Sequence, residues 1–361
     1  LVSDANSTIQ VFVNAVAGAV VETERYDGNA TGNAGLTGTL TVLVYGSEYV
    51  KGAVGRTGAN VPQFKSRTNK PIILKDKYEI SGSDASAIGW VEVSGEEGQN
   101  GYLWYLKASG DTKARFSDYM EMAMMESVKA TTAANTVSTI TGAAGQIGGT
   151  EGLWQALATR GNISNALDGT ATLAEFDLII DELDANGAIE ENMMFLDRKT
   201  SLNIDDMLAG LNGAAQGNGT TSNVAGASYG VFNNESDMAL NLGFTGFRRG
   251  SYDFYKSDFK YLNDKSTRGL INSTDSTNAI HGVMIPAGVS SVYDQSLGKN
   301  LKRPFLHVRY RASNMESRKY KTWTTGSVGA TTSDLDAMEM HFLSERCLVV
   351  QGANNFVLLK G

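Results

Sequence analysis

The sequence predicts an α+β chain, and three observations predict it. Apolar stretches separated by Gly, Asn and Asp turns run from about Thr39 to Leu106. The spacing turns helical near Lys113, and strand patterns resume from Gly282 onward. With 361 residues the chain can bury a sizeable core and form two or three lobes. Charged residues make up only 19%, so much of the surface must be neutral polar or covered by other protein, and self-association is the simplest expectation. The 40 glycines against 4 prolines suit adaptable loops better than stiff linkers.

Residues 1–38 hold one apolar stretch, Ile9 to Val16, and then dissolve into Gly, Asn and Thr. Such a segment buries too little on its own, which predicts an extended arm lying across a partner or its own subunit. Residues 39–106 read as a β-excursion with strands at Thr41–Tyr45, Pro71–Leu74, Tyr78–Ile80, Gly89–Val93 and Tyr102–Leu106, and with a polar tip between Lys51 and Lys70. In residues 107–149, Phe116, Tyr119, Met120, Ala123, Met124 and Val128 recur at helical spacing, predicting a long helix from Lys113 to about Thr132. Met122 and Met125 widen its apolar face as adaptable core filling.

Residues 150–270 alternate between helix and strand. Leu153, Trp154 and Leu157 share one face. Thr172 with Glu175 forms a capping-box pattern before the stripe Leu173, Phe176, Ile179, Ile180 and Leu183, and Gly187 supplies the stop. A strand at Met193–Leu196 and a helix near Ile204–Leu211 follow. A low-complexity Gly/Asn/Thr/Ser loop spans 212–230, and aromatic and charged residues interleave over Tyr252–Tyr261. Residues 271–361 return to strands at Gly282–Ile285, Phe305–Tyr310 and Met338–Leu343. No internal repeat is visible.

Charge and cysteine usage narrow the function classes. A net charge of -8 and a pI near 5.1 oppose tight sequence-reading of nucleic acid, while loose proximity to DNA stays allowed. The lone Cys347 forms no internal disulfide, which points to folding in a reducing interior. No apolar run reaches membrane-spanning length, and no basic-then-apolar leader begins at Leu1; a first residue other than Met suggests that something upstream was removed or left unobserved. Asn29, Asn162 and Asn218 begin sequons of the kind that an Asn/Ser/Thr-rich chain produces by chance.

No catalytic, cofactor-binding or metal-binding constellation stands out. Gly226-Ala-Ser228-Tyr-Gly230 matches a nucleophile elbow, but a polar loop precedes Ser228 where a strand is required. Gly298-Lys299-Asn300 lacks the hydroxyl and spacing of a phosphate-binding loop, and the glycines of Gly142–Gly149 have no lysine. His281, His307 and His341 are too widely spaced to imply one site, and the acid pairs Glu96-Glu97, Glu190-Glu191 and Asp205-Asp206 read as solvated residues beside turns and helix ends.

One cluster carries more weight. Lys299, Lys302, Arg303, Arg309, Arg311, Arg318, Lys319 and Lys321 fall in a short stretch whose one acid is Glu316. A nucleic-acid patch is one explanation; in an acidic chain, pairing with acidic surfaces of neighbouring subunits is the preferred one.

This order of arm, excursion, long helix and two further lobes resembles the HK97-fold major capsid proteins of tailed bacteriophages, and the texture is similar to that of crAss-like phages. The resemblance covers nearly the whole chain, is architectural and rests on no single motif. It implies an N-terminal arm (1–38), an extended β-hairpin loop (39–106), a spine helix opening the peripheral domain (107–149), an axial domain (150–270) and a return to the peripheral domain (271–361), with Glu345–Asn355 in the peripheral sheet. It further implies hexamers and pentamers of an icosahedral shell around double-stranded DNA held by weak non-specific contact. Portal and auxiliary or decoration proteins would be partners, assembly would occur in the host bacterial cytoplasm, and no enzyme activity, cofactor or membrane would be involved. Two other readings remain: a β-rich surface adhesin or carbohydrate-binding structural protein, and a hydrolase acting through Ser228.

Overall fold

The computed structural model describes residues 1–4, 7–18, 20–26, 36, 38–55, 67–86, 92–94, 100–130, 148–165, 167, 173–213, 246–274, 277–294, 299–329 and 331–361. The chain divides into two units, Leu1–Ser66 and Arg67–Gly361. The first therefore takes in the expected arm together with part of the expected excursion.

In the first unit, β1 (Val2–Ser3) pairs with β2 (Thr8–Ile9), while β3 (Val11–Ala17) and β4 (Val20–Arg25) form an antiparallel hairpin. The apolar stretch read as part of an extended arm is thus one half of a hairpin, because Val20-Val21 offers it a β-branched partner across the turn at Gly18, whose φ is +61°. β5 (Thr41–Val42) pairs with β1 over only these two residues, so the strand expected through Tyr45 is cut short. Among the described residues of this unit only Leu36 is buried.

The second unit opens with β6 (Ile72–Ser81), which joins the two short strands expected at Pro71–Leu74 and Tyr78–Ile80 into one of 10 residues. A short helix α1 (Gly82–Ser86) and a small hairpin of β7 (Glu92–Ser94) and β8 (Asn100–Tyr102) lead into α2 (Leu103–Glu126). The predicted strand Tyr102–Leu106 is corrected here: four of its five residues are the first turn of α2. A short aromatic-apolar run has no period of its own to separate strand from helix, and the helical spacing downstream extends back through it. α2 ends at Glu126, six residues before the expected Thr132. It buries Phe116, Met120 and Met124, four apart, while the predicted stripe members Tyr119 and Val128 are exposed.

The helix α3 (Leu153–Arg160) buries Leu153, Trp154 and Leu157 as the sequence predicts, and β9 (Asn162–Ser164) follows. In α4 (Leu173–Ala185), Phe176, Ile179 and Leu183 are buried, and the helix stops at Gly187. Gly187 sits at φ +62° while the Ala188 and Gly187 amides donate to the carbonyls of Leu183 and Asp184, a Schellman closure that needs a residue tolerant of left-handed backbone. The expected capping residue Thr172 lies outside the described residues. Next come β10 (Glu191–Leu196) and α5 (Arg198–Gly213), whose first turn is capped by the Asp197 carboxylate accepting from the Thr200 amide at 2.6 Å.

The remaining elements are β11 (Gly246–Arg249), β12 (Tyr252–Asp258), α6 (Gly269–Thr274), β13 (Ile280–Pro286), β14 (Val289–Asp294), β15 (Lys299–Pro304), β16 (Leu306–Tyr310), β17 (Lys321–Gly326), β18 (Ala337–Val350) and β19 (Val357–Lys360). They complete two main sheets. The first has the order β11-β12-β10-β13-β19-β9. Its strands alternate cleanly: Met284, Val357 and Leu359 face a core shared with α4 and α5, while Val283 and Leu358 face a second core with α3, Phe305 and Phe356. The sheet draws strands from both sides of residue 270, so the boundary expected there does not separate two sheets. The chain end is also redistributed: Glu345–Val350 belongs to β18, Ala353–Asn355 forms a 3-10 turn, and Val357–Lys360 crosses into this first sheet.

The second sheet is built around β18. β6 pairs along one side over 337–346, and β17 and β16 share the other. α2 lies on this sheet through Phe116, which packs against Phe342 and Tyr320 at centroid distances of 5.9 and 5.7 Å. At the C-terminal end of α2, where a carboxylate opposes the helix dipole, Glu126 accepts from Trp154 Nε1 at 3.1 Å, Tyr261 Oη at 2.9 Å and Arg268 Nη1 at 2.5 Å. Three donors offset that dipole and tie α2 to α3 and to the segment before α6.

Candidate functional site: the basic face around β16

The basic cluster is spread over β15, β16, the turn after β16 and the start of β17. β16 is held against β18 in the register His307 to Val349 and Arg309 to Cys347. Each of the eight cations has a definite place except Lys299, whose backbone is in β15 and whose side chain lies outside the described residues.

Three of the eight are engaged within the chain. Glu345, on β18, has a side chain only 6% exposed and is met by Arg318 Nε at 2.6 Å and Arg311 Nη1 at 3.2 Å. The Arg311 amide also donates to the Glu345 carbonyl, and the Glu345 amide to the Arg318 carbonyl. A buried carboxylate is costly unless paired and hydrogen-bonded, and these two guanidinium groups meet that need. Lys321 donates to Glu316 at 2.7 Å, and its hydrogen bond, with the nearby Arg318, holds the Glu316 carboxyl below the usual range. The sequence showed Glu316 as the cluster's one acid. Glu345 stayed hidden because it arrives from a strand 27 residues beyond Arg318.

The other described cations are differently placed. Lys319 lies over the Tyr310 ring, 5.2 Å from its centroid. Lys302, Arg303 and Arg309 have no hydrogen-bond or ion-pair partner among the described residues. Arg303 and Arg309 line an open groove of about 510 Å3 with Pro304, His307, Val308 and Tyr310. His307 Nδ1 sits 3.0 Å from the Pro304 carbonyl, and Nε2 is buried without a partner. Burial pushes the His307 pKa down, the Pro304 contact opposes this, and Arg309 and Arg303 lower it further. Burial likewise pushes the Cys347 thiol up, with Arg309 opposing, so Cys347 is a poor nucleophile. The groove is thus a cationic, partly apolar trough suited to holding a carboxylate or another anion and lacking a group poised for bond chemistry.

The remaining sequence candidates do not converge. His281 contacts Asp197 at 3.1 Å, and His341 stacks on Trp323 at 5.0 Å, each in its own element. Asp205, read as a solvated helix acid, is corrected: it is buried and pairs with buried Lys256 at 2.5 Å, a partner 51 residues away on β12. Ser228 and its flanking glycines, Glu96-Glu97, Gly298 and most of Gly142–Gly149 lie outside the described residues. Among the described residues no group of three His, Cys, Asp or Glu side chains is arranged to hold a metal, and no helix is long and apolar enough to cross a membrane.

No protein-family model matches the chain, and no curated protein matches it by sequence. Three solved structures similar to it come from phages. A chain of the satellite phage P4 procapsid, which includes the size determination (Sid) protein, is 11% identical with a TM-score of 0.36, covering 91% of this chain and 81% of that one. A chain of the capsid of cyanophage P-SCSP1u is 11% identical at 0.36, covering 85% and 80%. A chain from Mycobacterium phage Patience is 9% identical at 0.38, covering 87% and 78%. Likeness at this level fixes neither fold nor activity, and the functional reading rests on the residues themselves.

Proposed function

We propose that this chain is the shell-forming subunit of an icosahedral phage capsid, acting through contacts with copies of itself and arranged in the HK97 manner. One observation carries the reading. Half of the large apolar side chains left exposed among the described residues fall within Leu1–Ser66, including Val16, Val44 and Val54, and none of the three buried cores draws a residue from that unit. Covering one such side chain fully is worth about 1.5–3 kcal/mol, so a unit like this is stable only against another surface. Copies of the chain supply that surface in a closed lattice, where many modest contacts add up.

In this reading 1–38 and the part of the excursion before β6 reach neighbours, α2 forms the spine, and the two sheets form the wall. Hexamers and pentamers enclose double-stranded DNA in the virion. The net charge of -8 leaves that DNA loosely held. Electron microscopy of the purified protein tests the proposal. Polyhedral shells or hexameric rings are the expected outcome. Monodisperse monomers at all concentrations and salt conditions, or monomers that bind glycans, would remove it.

A further inference from the structure

We propose, resting on the shell-subunit reading, that the outer edge of β16 receives strand β4 of a second copy, with Glu22 and Glu24 of that copy meeting Arg303 and Arg309. The edge is open. Among the described residues β16 pairs only with β18. The Gln351 amide donates to the Phe305 carbonyl and the Arg311 amide to the Glu345 carbonyl, so odd-numbered residues of this segment bond toward β18. The backbone groups of Leu306, Val308 and Tyr310 are therefore directed away from β18, and unpaired edge groups of this kind are a template for another strand.

Charge selects which strand. Among the described residues Arg303 and Arg309 have no ion-pair or hydrogen-bond partner; they line the groove at this edge, where the buried His307 Nε2 also lacks one. Two β16 edges brought together would set Arg309 near its own copy. β4 offers the complement: among the described residues it pairs only with β3, and its exposed Glu22 and Glu24 have no partner there. Lying two apart, they share one face of the strand about 6.7 Å from each other. Two β4 edges would likewise oppose their carboxylates. Each edge thus disfavours its own kind and accepts the other, which makes the contact heterologous, the type that propagates around rings. Three unpaired described cations form too small a basic field for a duplex to be the preferred occupant.

Two measurements test this. In a Cys347→Ser background, Thr23→Cys with Val308→Cys should give interchain disulfide dimers and ladders on oxidation. In parallel, Arg303→Glu with Arg309→Glu should lower the yield of assembled particles at least tenfold, and adding Glu22→Arg with Glu24→Arg should restore it. Crosslinks confined to single chains, or assembly untouched by the charge reversal, would overturn the contact. Loss of a bound DNA duplex in the reversal variant with unchanged assembly would overturn it in favour of nucleic acid. Should the unmodified protein never assemble, the shell reading fails; if it assembles without the interchain crosslink, this contact alone fails.

Discussion

Single residues show where charge is structural and where it is available. Glu345 and Asp205 are buried acids whose partners lie far off in the chain, and removing one member of such a pair leaves the other uncompensated. Lys256→Met should therefore destabilise the fold by about 3–5 kcal/mol, measured by denaturant melts, and Asp205→Asn added to it should recover much of the loss. Glu345→Gln should cost less, about 1–3 kcal/mol, because Arg311 is 70% exposed and regains water. His307 gives a pH signature. Its folded pKa lies below the ordinary 6.5, chiefly through burial, so as pH falls the unfolded chain takes up the proton first. Stability should begin to drop near that ordinary value and keep dropping until the folded-state value is passed. His307→Gln should flatten this part of the profile in melts taken between pH 5 and 8, values that bracket histidine titration.

At the scale of elements, the helices were legible and their lengths were not. The stripe Phe176, Ile179 and Leu183 with the Gly187 stop fixed α4, because both period and closure are local. α2 was misplaced at both ends: Leu103–Leu106 has strand-like composition, and Tyr119 matches the helical period yet stays exposed. Strand lengths depend on partners. β6 runs unbroken for 10 residues because β18 pairs with it throughout, whereas β5 stops opposite Val2, where β1 begins. A close approach sets the end of β17: Gly326 has φ +123°, and an added Cβ would lie 1.8 Å from the Ala337 carbonyl oxygen. Gly326→Ala should lower stability by on the order of 3 kcal/mol through backbone strain and the displaced β17–β18 ladder, read as a drop in Tm.

Across the whole molecule, the three cores lie in one unit of the chain, and half of the exposed large apolar side chains among the described residues lie in the other. Arg67–Gly361 contains all three cores, so deleting residues 1–66 should leave a cooperative thermal transition while abolishing assembly, as followed by calorimetry and sedimentation velocity. By itself the sequence determined the mixed α+β class, the helical stripes and the basic stretch from Lys299 to Lys321, since period, turn chemistry and composition act over a few residues. Only the tertiary structure decided that Arg311 and Arg318 serve Glu345 while Arg303 and Arg309 are left over, and that Val357–Lys360 closes a different sheet from Glu345–Val350. Those outcomes depend on which strands become neighbours, and pairing between segments far apart in the chain leaves no mark in the local pattern of either one.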